Sequence, residues 1–168
     1  MISRSQRIRT EVLRSSFAST HGHIPTCFSV IECLCAVYEV MRHKPAEPDW
    51  SDRDIFILSK GHASLGHYGV LADFGYFDSS ELATFGAFES RLGCHADRLK
   101  VPGVELSTGS LGHGIGVATG IALGIKINQT QRRVYTLIGD GESNEGSVWE
   151  AIMVAADRKL DNLTIILD

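Results

Sequence analysis

Two short apolar runs separated by a helical segment do most to limit the fold of this chain. The runs are VYTLIGD (134–140) and NLTIILD (162–168), and the segment SNEGSVWEAIMVAADRKL between them has the spacing of a helix. Such runs are typical of buried parallel strands, and a helix between them makes a right-handed crossover. A third run, DIFILS (54–59), comes earlier in the chain. The sequence therefore predicts an α/β fold with a parallel sheet flanked by helices.

The segment before the first strand is predicted to be helical. An amphipathic helix is expected from Arg4 to about Ser19. A second helix is expected over FSVIECLCAVYEVM (28–41), where apolar residues recur every three or four positions. Ser29 and Glu32 have the spacing of a capping box and predict where this helix begins.

The segment between the first and second strands is predicted to contain more helix and one long loop. A helix is expected through GHYGVLADFG (66–75), and Asp78 with Glu81 marks the start of another. Residues 88–108 show no period, and loops of this length are often functional. Residues 112–127, GHGIGVATGIALGIKI, predict a buried helix that lets another backbone approach closely. Because this segment is so apolar, we expect it at a dimer or domain interface.

Length and composition favour one continuous domain, 1–168, of an ordinary globular protein. The net charge of −4 gives no reason to expect nucleic acid or an acidic membrane surface as a partner. No apolar run approaches the ~20 residues that span a bilayer. The Arg- and Ser-rich start resembles a transit peptide, but Glu11 and the helical pattern favour an ordinary first helix. The cysteines show no Cys-x-x-Cys spacing, which predicts reduced thiols and a cytoplasmic protein.

Glycines and charged residues follow the predicted strands. In an open parallel sheet, ligands bind where the strands have their carboxyl ends, so Ser59-Lys60-Gly61-His62 and Gly139-Asp140-Gly141 should converge there. Gly139 and Gly141 would let the backbone approach an anionic ligand. Asp140 fits such a site if a divalent cation lies between its carboxylate and the phosphate oxygens. Alternatively, Asp140 only caps a turn.

Other glycine motifs and metal motifs are missing from the sequence. No Gly-x-Gly-x-x-Gly follows a strand and no Walker ending occurs, so nucleotide binding lacks its usual support. No His-Glu-x-x-His spacing suggests zinc. Four histidines stand beside glycine or in loops, where an imidazole can bind sugar hydroxyls or phosphates, although each one alone could be structural: His23, His62, His95 and His113.

Three ordered motifs resemble those of transketolases. GDGESNEGSVWEA followed by NLTIILD is similar to the thiamine diphosphate motif of this family, in which an Asn follows Gly-Asp-Gly. LSKGHAS with YGVLADFGYF, and VPGVELSTGSLGHGIGVATGIALG, are similar to two further stretches of the family. The match covers nearly the whole chain and is closest in style to small bacterial transketolases that are split into two subunits.

The resemblance implies that the chain is the diphosphate-binding domain of such an enzyme, with thiamine diphosphate and Mg²⁺ or Ca²⁺ as cofactors. It implies that Asp140 binds the metal and that Gly141 and His62 contact the diphosphate. The residues implied to line the cofactor are Gly109, Ser110 and Leu111.

The resemblance also implies transfer of a two-carbon ketol unit from a ketose to an aldose, either of which could be a sugar phosphate. His23 and His95 would face the hydroxyls of the donor sugar, and Glu145 would belong to a polar link towards the partner's active site. Gly-His-Ile-Pro and Cys-His-Ala-Asp depart from the usual patterns around these histidines, and His113 stands where Gln is usual. The first two departures lie by the substrate in this family, which opens an alternative to the usual sugar phosphates: a pathway-specific transketolase.

Part of the family's pattern is absent from residues 1–168. The Asn that closes the cofactor motif does not occur before the last residue, Asp168, and the pyrimidine-binding domain is not present. We therefore expect a domain that is incomplete at its C-terminus, inactive alone, and assembled with a pyrimidine-binding domain or a C-terminal subunit into a homodimer or heterotetramer. Two alternatives stay open: another thiamine diphosphate enzyme, such as a deoxyxylulose phosphate synthase or a 2-oxo acid dehydrogenase component, and a non-catalytic assembly module of the same fold.

Overall fold

A three-stranded parallel sheet forms the centre of the molecule, in a computed structural model that describes residues 2–168. The strands are β1 (Ile55–Leu58), β2 (Val134–Ile138) and β3 (Leu163–Leu167), in the order β1-β2-β3. Val134 is in register with Ile55 on one side and with Leu163 on the other. The predicted α/β fold with parallel strands is confirmed.

Six α-helices in residues 2–168 flank the sheet. They are α1 (Arg4–Ser19), α2 (Ile24–Ser29), α3 (Ile31–Val40), α4 (Ser64–Asp73), α5 (Gly114–Ile127) and α6 (Gly146–Asp157), with short 3-10 turns at Gly61–Ala63, Ser79–Thr84 and Glu142–Asn144.

Alternation of side chains along the strands places a core on each face of the sheet. Phe56 and Leu58 of β1 pack into the larger core, which α1 to α4 complete. Ile55 and Ile57 point to the opposite face and pack against α5. Both faces of the sheet are therefore covered, and the loops at the carboxyl ends of the strands lie between the two helical layers.

The capping box predicted at Ser29 and Glu32 is wrong. The helix is broken there, with α2 ending at Ser29 and α3 beginning after Val30, which makes no side-chain cap. Glu32 bonds instead to Arg9 of α1, with one N–O distance of 2.6 Å. Ser29 donates to Asp168 at 2.6 Å. An ion pair of Glu32 and a hydrogen bond of Ser29, both to residues distant in the sequence, therefore replace the predicted cap.

Three other local predictions need correction. The element that Asp78 was expected to start is a 3-10 turn, Ser79–Thr84, although Asp78 does cap it. Strand β3 is half-exposed rather than buried, since it pairs within the described residues only with β2. Helix α5 buries one face and leaves the other, with Gly116 and Gly120, open. None of the helices in residues 2–168 is long and apolar enough to cross a membrane.

Candidate functional site

The loops at the carboxyl ends of the strands contact one another closely. A Cβ atom on Gly61, just after β1, would overlap the carbonyl group of Thr108, with its carbon only 2.6 Å away, and would lie 2.9 Å from the nitrogen of Gly109. Only glycine permits this approach of two backbones. This contact with the segment before α5 is not among the sequence predictions. The predicted convergence of the loops after β1 and β2 is present as well, since a Cβ on Gly139 would lie 3.2 Å from Cδ of Lys60.

The segment before α5 rests on the start of α6. Gly112 has a φ of +80°, and a Cβ there would lie 2.7 Å from the Cβ of Glu145. The hydroxyl of Ser147 donates to the carbonyl of Gly112 at 3.0 Å. Glu145 is thereby placed beside Gly112, and its side chain is exposed.

Glu142 joins three of these loops through one buried carboxylate, with 2% of the residue exposed. Its Oε1 accepts a hydrogen bond from the backbone N–H of Gly112 at 2.8 Å and another from the hydroxyl of Ser59. Its Oε2 accepts from the N–H of Gly139 at 3.0 Å. Sequence reasoning missed Glu142, because nothing in GDGESNEG distinguishes a buried glutamate from the exposed Glu145.

Lys60 and Asp168 form a buried ion pair next to these loops. The Lys60 side chain is 6% exposed and its Nζ bonds to Oδ2 of Asp168, which also accepts from the hydroxyl of Ser29. Burial alone would raise the pKa of Asp168, but the bonds from Lys60 and Ser29 outweigh burial and lower it. The Asp168 carboxylate is therefore ionised and already paired.

Three of the four predicted histidines, His23, His62 and His95, lie near one another at the same edge. The rings of His23 and His62 are 5.3 Å apart and edge to face. A Cβ on Gly109 would lie 3.0 Å from Cδ2 of His95. Burial, then the nearby His23, Lys60 and His95, lower the pKa of His62 against the opposing effect of Glu142. His62 is therefore mainly neutral at pH 7 and can donate one N–H without carrying a charge.

Asp140 and Gly141 lie on the open side of this edge. Oδ1 of Asp140 accepts from the N–H of Gly141 at 2.7 Å, so the residue does cap its own turn. The Asp140 side chain is nevertheless exposed, and a Cβ on Gly141 would meet no atom within 4 Å. Within residues 2–168 no group of three or more His, Cys, Asp or Glu residues could hold a metal ion.

Space and chemistry at this edge fit a diphosphate with a divalent cation. The open space above Gly141 gives access to backbone, and the exposed Asp140 supplies one carboxylate. Mg²⁺ commonly takes one or two protein carboxylates and completes its coordination with phosphate oxygens and water.

Ser110 and His113 lie in the loop that leads into α5. Nδ1 of His113 is 3.3 Å from the hydroxyl of Ser110 and 3.1 Å from the carbonyl oxygen of Leu111. Ser110 and His113 are exposed, while Leu111 is half-buried. The predicted lining residues Gly109, Ser110 and Leu111 thus form a continuous segment between His95 and the Glu142 carboxylate.

A parallel sheet with glycine turns and an exposed carboxylate at the carboxyl ends of its strands is typical of α/β domains that bind phosphate-bearing cofactors. Comparison with known families shows which family of such domains this chain resembles. Residues 5–168 match the family model described as transketolase, thiamine diphosphate binding domain, and the chain belongs to this family. The resemblance seen in the sequence is confirmed.

Curated relatives include components of split transketolases. The chain is 43% identical over 161 residues to an apulose-4-phosphate transketolase subunit of Actinobacillus succinogenes, covering 95% of this chain and 58% of that protein. It is 40% identical over 148 residues to the 6-deoxy-6-sulfo-D-fructose transketolase subunit SqwG of Clostridium sp. strain MSTE9, covering 88% of this chain and 54% of that protein. The chain thus spans little more than half the length of these relatives.

Solved transketolases share the fold. The transketolase of Leishmania mexicana superposes with a TM-score of 0.89 at 32% identity, over 100% of this chain and 27% of that one. The transketolase of Campylobacter jejuni gives a TM-score of 0.88 at 30% identity, over 98% and 27%. The described sheet and helices therefore correspond to about a quarter of each of these longer chains.

Proposed function

We propose that the chain supplies the diphosphate- and metal-binding half of a thiamine diphosphate-dependent transketolase, which transfers a two-carbon ketol unit from a ketose to an aldose. The observation that carries this proposal is the junction of three loops at the carboxyl edge of the sheet, in a chain of the transketolase family. The exposed Asp140 and the half-buried His62 lie in two of these loops.

The proposed cofactor roles follow from the position of each side chain. Asp140 would bind Mg²⁺ or Ca²⁺, while Gly141 and His62 would contact the diphosphate. Thiamine diphosphate, when bound, supplies an electron sink for cleavage of the carbon–carbon bond beside a ketone. Because the lowered pKa of His62 keeps it neutral, it can donate to a phosphate oxygen without a change of charge. The residues proposed to line the cofactor are Gly109, Ser110 and Leu111.

His23 and His95 are proposed to bind the hydroxyls of the donor sugar. Both are exposed and lie beside His62 and Gly109, respectively. Nδ1 of His23 is 2.6 Å from the hydroxyl of Thr26, so this contact orients the ring and leaves Nε2 for a ligand. Glu145, held beside Gly112, is proposed to continue a polar link to the partner's active site.

The substrates are proposed to be sugars or sugar phosphates. Two relatives are named for a sugar phosphate, apulose 4-phosphate, and for a sulfonated sugar, 6-deoxy-6-sulfo-D-fructose. Both of these sugars carry an anionic group, which supports an anionic substrate for this chain also. The Ile24 and Ala96 neighbours of the two histidines depart from the common pattern and are proposed to adapt the donor site.

A partner is proposed to complete the active site. The partner would be a pyrimidine-binding domain or a C-terminal subunit, and relatives named as transketolase subunits support this. The assembly is proposed to be a homodimer or heterotetramer. The open face of α5 supports assembly, because a largely apolar groove of about 460 Å³ runs between α5 and α6 past Val117 and Val154. The four free cysteines agree with the proposed cytoplasmic location.

Asp140→Asn tests the cofactor site. Loss of the carboxylate charge should weaken Mg²⁺-dependent binding of thiamine diphosphate at least a hundredfold, because the metal would lose its protein carboxylate. Isothermal titration calorimetry on the assembled protein measures this. Asp157→Asn is the matched control, since Asp157 is also exposed but lies at the far end of α6.

If Asp140→Asn and the parent protein bind thiamine diphosphate with equal affinity, the proposal that Asp140 binds the metal is contradicted. Failure of the parent protein itself to bind the cofactor would favour a non-catalytic assembly module.

A further inference from the structure

We propose that Glu142 is a positioning residue that holds three cofactor loops in place before the cofactor binds. The cluster consists of Glu142 and its three hydrogen-bond donors, Ser59, Gly112 and Gly139, and is named here the Glu142 cluster. The inference rests on the proposed function for the identity of the ligand, while the cluster itself is independent of any ligand.

Each donor in the Glu142 cluster belongs to a different loop. Ser59 follows β1 and precedes His62 by three positions, and Gly112 directly follows Leu111. Gly139 follows β2 and directly precedes Asp140. Every residue proposed to contact the cofactor therefore lies within three sequence positions of a residue that donates a hydrogen bond to the Glu142 carboxylate.

Backbone bonds tie two of these loops to the neighbouring strand only. The N–H of Ser59 donates to the carbonyl of Leu137 at 2.8 Å, and the N–H of Asp140 donates to the carbonyl of Asp168 at 2.8 Å. The Glu142 carboxylate adds bonds that join all three loops to one group, and Gly112 and Gly139 have no side chains with which to pack. Gly114 adds one close contact, since a Cβ there would lie 2.5 Å from Oγ of Ser59. Because Glu142 is buried, its hydrogen bonds do not compete with water.

The hydrogen-bond pattern requires a carboxylate. Both oxygens of Glu142 accept from a backbone N–H, Oε1 from Gly112 and Oε2 from Gly139. A glutamine has the same shape but carries an NH₂ in place of one oxygen. In either orientation that NH₂ would face a backbone N–H, so donor would meet donor and one buried N–H would lose its partner.

Glu142→Gln therefore tests the acceptor role without removing volume. The first readout is hydrogen exchange of the assembled, cofactor-free protein, where the amides of Gly112 and Gly139 should exchange at least tenfold faster. The second readout is calorimetric affinity for thiamine diphosphate with Mg²⁺, which should fall at least tenfold. Val12→Ala is the control, because Val12 is fully buried in the larger core, apart from the cluster. That control should leave both readouts at the parent values.

Unchanged exchange at Gly112 and Gly139 in Glu142→Gln would overturn the proposal. Equal losses of cofactor affinity in Glu142→Gln and Val12→Ala would also overturn it, because they would reflect general destabilisation. If the parent protein binds no thiamine diphosphate, the proposed function fails, and the exchange experiment alone decides the role of Glu142.

A second variant covers the case in which Glu142→Gln does not fold. Ser59→Ala removes one donor and leaves the two backbone donors to the carboxylate. It should raise exchange at the Gly112 amide by a smaller factor, with β2 amides unchanged. An exchange rate at Gly112 in Ser59→Ala equal to that of the parent protein would contradict the proposal that Ser59 and Gly112 are held by the same carboxylate.

Discussion

At the scale of single residues, the contact between Gly61 and Thr108 is the tightest constraint at the site. Gly61→Ala should lower the free energy of unfolding by about 1–3 kcal/mol, the usual cost of overpacking, because its Cβ would meet backbone atoms that cannot rotate away. Chemical denaturation measures the change. Gly146→Ala is the control, since a Cβ there meets nothing within 4 Å. A stability loss of the same size in both variants would contradict the close approach.

His67 makes a second residue-scale prediction, on acid stability. Its ring is buried, and Nε2 lies 2.8 Å from the hydroxyl of Tyr38. Burial lowers the pKa of His67 from 6.5 to about 3. As the pH falls below 6.5, His67 becomes protonated in the unfolded chain, whereas in the folded chain it stays neutral until the pH approaches about 3. His67 should therefore cost up to about 1.4 kcal/mol of stability per pH unit across this window.

Denaturation of His67→Gln between pH 7 and pH 4 checks that prediction. Glutamine can still bond to Tyr38 but does not titrate, so the variant should lose less stability than the parent protein as the pH falls. Parallel pH profiles of the two proteins would show that His67 does not contribute.

The sequence predicts the exposed and half-buried site residues better than the fully buried ones. Asp140 and His62 follow apolar runs, and the carboxyl ends of parallel strands meet at one edge, so pattern alone places them. Glu142 and Lys60 were not assigned a role, because whether a charged side chain is buried depends on partners far away in the chain. The partner of Lys60, for example, is Asp168.

At the scale of elements, helix α5 carries glycines that its own packing does not need. A Cβ on Gly120 would meet nothing within 4 Å, and Gly120 borders the groove between α5 and α6. Gly120→Ala should therefore stabilise the unassembled chain by about 0.5–1 kcal/mol through helix propensity. The same methyl group should weaken assembly if a partner packs closely on this face.

Thermal denaturation and light scattering test the two halves of the prediction for Gly120→Ala. The expected result is a higher melting temperature with a smaller assembled fraction at equal concentration. Assembly at the parent level, or a parent protein that is a stable monomer, would contradict an interface on α5.

Element prediction succeeded where local pattern dominates. Strands β1 and β2 and helix α1 lie where apolar spacing predicts them. The capping box failed because Glu32 pairs with Arg9 across two helices, a contact that no local pattern contains. The exposure of β3 and of the outer face of α5 depends on which neighbours are present, and sequence periodicity does not report this.

At the scale of the whole molecule, the described fold builds one side of a cofactor site. Helices α1 to α4 cover one face of the sheet and α5 with α6 the other, so the loops between these layers open at the carboxyl edge. The loops bring Asp140, His62 and Glu145 to that edge with exposed or half-buried side chains. The proposed partner would close the site from the side of Glu145 and the outer face of α5.

A crystal structure of the assembled protein with thiamine diphosphate and Mg²⁺ tests the central claim most directly. The account predicts that the metal contacts the Asp140 carboxylate and that the diphosphate lies beside Gly141 and His62. The Glu142 carboxylate should keep the same bonds to Gly112 and Gly139 that it has here. A cofactor bound away from the carboxyl ends of β1 and β2, or a metal without Asp140 among its ligands, would contradict the account.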